Sequence, residues 1–223
     1  MTTRAAAPTK RLGWWVQVAL IALVLIPVIA GTLRLVELFG GPQILPENPR
    51  ALASPLPIVA HIISAILYAV LGAFQFSSAL RRRRPGWHRA AGRVLVVLGL
   101  VVAFSALWMT QFYARPEHTG ELLYLFRLAF GSAMATFIIL GFAAIRRRDI
   151  ARHRAWMTRA YALALGAGTQ VFTQGFGEAI LGTHEGTRDL LLGAAWVINL
   201  AVAEYVIRRQ PRRARKAVLV TSA

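Results

Sequence analysis

The chain has 223 residues, 57% of them hydrophobic and 16% charged, with a mean hydropathy of +0.53, too apolar for a water-soluble globular domain. Its 26 Lys and Arg against 9 Asp and Glu give a formal charge of +17, but the basic residues sit in short clusters between long apolar runs, as in a polytopic membrane protein. The absence of cysteine excludes disulfides, thiolate metal sites and covalent c-type haem attachment.

A bilayer core about 30 Å thick takes about 20 apolar residues per helix, and six segments qualify: 12–39, 58–80, 90–113, 122–145, 156–180 and 190–207. The expected fold is therefore all-α. It is a six-helix transmembrane bundle (12–207) between a basic N-terminal stretch (1–11) and a basic tail (208–223). The first segment is long enough to tilt, or to bend at Pro27. Its apolar run exceeds the roughly 7 to 15 residues of a signal-peptide core, so it reads as a helix that is retained. Connectors are short except 40–57, whose prolines at 42, 46, 49, 55 and 57 predict an extended, stiff loop.

Basic residues near helix ends are retained on the cytoplasmic face. One set of alternate connectors holds 20 Lys and Arg, and the other holds 3, namely Arg50, Arg115 and Arg188. Both termini are accordingly expected in the cytoplasm, in a multi-pass protein of the inner (cytoplasmic) membrane. Anionic lipids are the expected partners of the basic inner loops and tail. No nucleic-acid partner is expected, because no base-stacking or groove-reading module accompanies the charge.

Two inner connectors also align. Leu71-Gly72, the arginine run 81–84, His88-Arg89-Ala90 and Arg93 find counterparts in Leu140-Gly141, the run 146–148, His153-Arg154-Ala155 and Arg159. This suggests a repeat of helix pairs, 58–113 and 122–180, related about an axis along the membrane normal. The alternative is that arginine-rich turns simply resemble one another.

Four of the five histidines mark helix ends. His61 lies about one turn inside the second segment and His118 just before the fourth, both on the outer side; His88 and His153 precede the third and fifth on the inner side. Imidazole is an axial ligand of haem iron, and bundles build such sites from facing helices. His61 with His118, and His88 with His153, are thus candidate ligand pairs for haem b. Ser64 and Tyr68 share the face of His61 and could orient its ring. Read structurally, interfacial histidines cap helices or meet lipid phosphates.

Intramembrane charge is costly and draws functional attention. Arg127 lies about 9 Å below the outer boundary, at about 1.5 Å rise per residue, with Glu178 and Glu37 near its level. Arg159 and Glu204 lie a turn inside the other boundary, placed to pair or to snorkel. Gln170, Gln174 and Glu178 fall on one helical stripe, with Thr169 and Thr173 beside it and Asn199 in the next segment. Arg127, Gln170, Gln174 and Glu178 could border a pocket for a quinol, a substrate or a proton. The structural reading is interhelical hydrogen bonding across a helix made slim by Gly166, Gly168, Gly175 and Gly177.

The stretch from His61 through Gly72, Phe74-Gln75-Phe76 and His88-Arg89-Ala90-Ala91-Gly92-Arg93 to His153-Arg154-Ala155-Trp156-Met157-Thr158-Arg159-Ala160-Tyr161 resembles the bacterial membrane family known as domain of unknown function 2306. The likeness covers roughly residues 58 to 180. It implies a multi-pass membrane protein and no assigned reaction. A looser similarity is to the transmembrane cytochromes b that are reduced by ascorbate, which have six helices, cytoplasmic termini and histidines on helices two to five. Here His88, His118 and His153 fall at or outside helix starts, and no ascorbate-binding motif is evident.

These expectations support two functional classes. One is a haem b electron-transfer protein exchanging electrons with quinone or another redox partner. The other is a non-redox transporter or small-molecule binder with a polar intramembrane pocket. An assembly partner with no site of its own is the remaining alternative, and the sequence leaves open whether the chain is an enzyme.

Overall fold

A computed structural model describes residues 14–115, 120–182 and 184–221. Among these residues there are helices and turns and no strand. In chain order the helices are α1 (Trp15–Leu38), α2 (Pro49–Ala53), α3 (Pro55–Gln75), α4 (Ser78–Arg83), α5 (Pro85–Phe112), α6 (Glu121–Arg146), α7 (Ile150–Ala164), α8 (Gly166–Leu181) and α9 (Glu185–Thr221). Five are long and apolar enough to cross a membrane: α1, α3, α5, α6 and the 186–209 stretch of α9. Large apolar side chains face outward along them, Leu125, Ile139 and Val202 among them, as lipid contact requires and water would not tolerate.

The segment expected as one helix over 156–180 is two, of 15 and 16 residues. They meet at Leu165, followed by Gly166 and Gly168, two residues of low helix propensity on either side of Ala167. The Gly168 and Thr169 N–H groups both turn back to the Leu165 carbonyl. Beside the break, the Ala162 carbonyl accepts a bond of 3.1 Å from Nδ2 of Asn199 on α9.

Other boundaries also moved. The loop 40–57, expected to be extended, contains α2 and the start of α3. Pro49 and Pro55 open those helices, where a missing N–H is harmless and the fixed φ helps. α5 and α7 begin before their apolar runs, because Pro85 opens one and Asp149 caps the other by accepting the Arg152 N–H at 3.0 Å. His88 and His153 are therefore not ahead of their helices but in their first turns. The basic tail continues α9 to Thr221.

α1 runs through Pro27 unbroken. The ring leaves the Leu23 carbonyl without its helical donor, and Gly168 of α8 packs against that oxygen so closely that a Cβ there would collide with it. A Cα–H contact of this kind is characteristic of close helix pairs.

The helices pack as neighbours, α1 on α3, α3 on α5, α5 on α6, α6 on α7, and α9 on α7 and α8, with α8 returning to α1. The core they enclose is rich in small residues, Ala69, Ala73, Ala103, Ala135 and Ala160, packed around Tyr68, Ile138 and Tyr161. Gly72 makes room for the Tyr161 ring, whose hydroxyl donates to the Ala69 carbonyl at 2.6 Å. One end of the bundle gathers the arginine-rich turns. The other, arginine-poor, end gathers α2, the α5–α6 turn and the start of α9.

Candidate functional site

At the arginine-poor end α5 stops because Tyr113 turns extended, at φ −77° and ψ 143°. Its hydroxyl donates to the Ser54 carbonyl at 2.5 Å, tying the turn to the start of α3. Burial holds this phenol above its usual pKa, so it stays a donor. Arg50 of α2 reaches the same turn, Nη1 bonding the Ala114 carbonyl at 3.3 Å while Nε bonds Asn48 Oδ1 at 3.3 Å.

α6 starts at Gly120, which has no side chain with which to cap the helix. The cap comes from α9. Asp189, 1% exposed, accepts the Gly120 N–H through Oδ1 at 3.3 Å and the Leu123 N–H through Oδ2 at 2.9 Å. A carboxylate suits this position, where unpaired N–H groups and the helix dipole concentrate positive charge. Arg115 pairs with Glu121 and lies over the Tyr124 ring at 4.6 Å, and the Tyr124 hydroxyl bonds Gln111 Oε1 at 3.0 Å.

Between these groups lies a small cleft open to solvent, with about 20 Å³ of room for the centre of a water molecule. Arg50, Thr110, Tyr113, Arg115, Tyr124 and Arg127 line it. Arg127 thus stands in a polar cavity, with different company from that suggested by residue levels. Glu37 accepts the Ile44 and Leu45 N–H groups at 2.7 and 2.5 Å and pairs with Arg34 at 2.8 Å, holding the loop to α1. The charged groups within electrostatic reach of Arg127 include Arg50, Arg188 and Asp189.

Gln170, Gln174 and Glu178 do not line this cavity. Gln170 Nε2 donates to the Leu192 carbonyl at 3.2 Å, Gln174 Nε2 to Glu178 Oε1 at 2.9 Å, and Thr169 to Asn199 Oδ1 at 2.8 Å. Gln170 and its neighbour Thr169 thus tie α8 to α9, while Gln174 and Glu178 bond each other within α8. Sequence reasoning missed Asp189, Tyr113 and Thr110. The signal for Asp189 was an acidic residue beside the start of an apolar segment, facing a helix that begins with glycine.

The histidines divide between the two ends. His61 Nδ1 lies 3.1 Å from the Val102 carbonyl and 3.0 Å from Ser105 Oγ, both in the second half of α5. Ser64 and Tyr68 make neither contact. His153 Nδ1 lies 2.9 Å from the Gly141 carbonyl, near the arginine-rich end of α6. A carbonyl oxygen only accepts, so Nδ1 of His153 carries the hydrogen and, in the neutral ring, Nε2 holds the lone pair. His88 lies within electrostatic reach of His153, Arg81 and Arg89. His118 lies outside the described residues. Among those that are described, no group of three or more His, Cys, Asp or Glu could hold a metal ion.

At the arginine-rich end Arg159 makes a two-point ion pair with Glu204 and lies over the Trp156 ring at 4.7 Å. That residue pair, expected either to join or to snorkel apart, is joined.

The family described as a predicted membrane protein (DUF2306) matches residues 58–207, from the start of α3 into the membrane-length part of α9. No curated protein and no solved structure matches the chain.

Proposed function

The chain belongs to the DUF2306 family of predicted membrane proteins, and on that premise we propose that it binds a small polar molecule, without redox chemistry, in the cavity between α5 and α6. The observation that carries this reading is Arg127. It is a cation more than one turn inside a membrane-length helix, it lines the cavity, and it has no hydrogen bond or ion pair among the described residues. Charge in such a place is costly unless a ligand or water answers it. In this reading α7 and α8 together make the fifth of six crossings. The arginine-rich end and both termini lie in the cytoplasm of a bacterial inner membrane, and the cavity opens outward.

Two measurements test it. Because the chain has no cysteine, Leu52→Cys should react with an impermeant maleimide on intact cells and Ser78→Cys only after permeabilisation; the reverse pattern overturns the topology. A screen of small polar molecules should find ligands that raise the unfolding temperature of the purified protein. Thr110→Trp, which fills the cavity, should abolish that rise. Ligands whose effect survives both Thr110→Trp and Arg127→Ala would remove the cavity from the account.

One observation favours a second reading, in which His88 and His153 hold haem b. The Nδ1–H of His153 is engaged by Gly141, leaving Nε2 available, and His88 is nearby. Bound haem would supply one-electron transfer with quinone or another redox partner. Expression with ample haem should then give a Soret band lost in His88→Ala and His153→Ala. A protein with no Soret band, or with a band indifferent to both changes, defeats this reading.

A further inference from the structure

The cleft is closed to anything much larger than water, with about 20 Å³ of room for the centre of a water molecule. A ligand that binds there needs a wall that moves. The walls are α5, the α5–α6 turn, α6 and, through Arg50, α2. α5 and α6 pack on each other, and Asp189 of α9 pins the start of α6. α2 is held least.

The segment that carries α2 is clasped firmly at one end. Glu37 of α1 accepts the Ile44 and Leu45 N–H groups, and Arg34, paired with Glu37, donates Nη2 to the Pro46 carbonyl at 2.7 Å. Hydrogen bonds to charged groups are the strong ones, and this ion pair is sheltered, its side chains 17% and 8% exposed. Beyond Pro46 the hold weakens. α2 packs on α3, the helix it leads into. It reaches the α5–α6 turn through Arg50 Nη1 on the Ala114 carbonyl at 3.3 Å, long for such a bond, and through the Tyr113 hydroxyl on the Ser54 carbonyl at 2.5 Å. Ala51 is fully buried, so α2 is seated, but a helix of 5 residues has little apolar surface with which to hold its place.

Each end of α2 is also a joint. Asn48 and Ser54 both precede a proline, which keeps them out of the helical region, with φ and ψ of −130° and 82° at Asn48 and −146° and 81° at Ser54. α2 therefore does not fuse with α3, and rotation at these two residues moves it as a unit without breaking either helix.

We propose that residues 47–54, with α2 at their centre, are a flap that swings away from the α5–α6 turn to admit a ligand and returns to cover it. The inference rests on the cavity reading above and adds how that site is entered. Opening breaks the Arg50 and Tyr113 bonds to the turn and leaves the Glu37 clasp intact.

The test uses the full chain, purified in detergent, which has no cysteine of its own. Thr110→Cys puts a thiol on the cleft wall, and 2-sulfonatoethyl methanethiosulfonate, too large for the closed cleft, reaches it only when the flap is out. Its modification should be slow beside that of Leu52→Cys, at a position 66% exposed. Tyr113→Phe, which removes the bond to Ser54 and keeps the ring, should speed it about fivefold to tenfold. Nitroxide labels on the pair Leu52→Cys and Leu190→Cys, both at exposed positions, should show by electron–electron resonance a longer distance that gains population in Tyr113→Phe. Labels on Ile44→Cys and Leu190→Cys, which read the clasped part, should give one distance unchanged by Tyr113→Phe, and so confirm that this variant folds. A Thr110→Cys thiol that stays unmodified, or reacts equally fast with and without the Tyr113 hydroxyl, overturns the flap, as does a single Leu52–Leu190 distance in both proteins. If the flap moves but no ligand effect is lost in Thr110→Trp, only the cavity reading falls. If ligand effects are lost in Thr110→Trp while the Leu52–Leu190 distance stays single, only the flap falls.

Discussion

Replacing Asp189 with alanine should loosen the start of α6. The carboxylate is 1% exposed and accepts two backbone N–H groups at 3.3 and 2.9 Å. Hydrogen bonds to a charged acceptor are worth about 1.5–3 kcal/mol each, which sets a ceiling of about 6 kcal/mol for losing both. Water reaching the end of the bundle offsets part of this, and measured values in membrane proteins run low. A loss of about 3 kcal/mol is therefore expected for Asp189→Ala. Asp189→Asn keeps one acceptor oxygen but turns an amide NH2 toward the other N–H, so about half that loss should follow. Thermal unfolding in detergent reads the stability. Hydrogen exchange at the Gly120 and Leu123 amides reads the place, and both should exchange faster in Asp189→Ala. A variant with wild-type unfolding temperature and unchanged exchange at those two amides would refute the assignment of Asp189 as the cap of α6.

Gly168→Ala should destabilise by about 1–3 kcal/mol or more, because the new Cβ meets the backbone of Leu23 rather than a movable side chain. Gly175→Ala on the same helix, where nothing lies within 4 Å, should be neutral or stabilising by up to about 1 kcal/mol; equal effects of the two in thermal unfolding would contradict the packing described. Asn199→Leu should cost about 1–2 kcal/mol by losing its bonds to Ala162 and Thr169, seen as a lowered unfolding temperature. Glu204→Gln should cost less than about 1 kcal/mol, since its ion pair with Arg159 is 32% and 21% exposed, and a much larger loss would show that end to be drier than its exposure indicates.

The positions of α1, α3, α5, α6 and α9 could be read from apolar length alone, because a bilayer imposes that length on any crossing helix. Helix starts were less legible. Pro85 and Asp149 set them through local backbone chemistry, which acts outside the apolar run and moved His88 and His153 inside their helices. The break at Leu165 was hidden because apolar length carries no information on which carbonyl is released; the glycines around it were the available sign. Arg127 could be singled out from its depth. Its neighbours could not, since Arg50, Tyr113 and Asp189 come from α2, the end of α5 and α9, three separate stretches that only tertiary packing brings together. Charge level along each helix pointed instead to Glu37 and Glu178, which local partners had already claimed.

The interruption between α7 and α8 also bears on how the protein is made. A chain emerging from the ribosome as far as Leu181 would contain both half-length helices but lack three side chains that support them at and around their junction: Asn199 at the Ala162 carbonyl, Trp196 against Gly166 and Glu204 on Arg159. All three lie on α9 and are translated after α7 and α8. The packing of α7 and α8 is thereby strengthened once α9 is made, and a nascent chain stopped at Leu181 should be cleared by membrane quality control faster than one that includes α9.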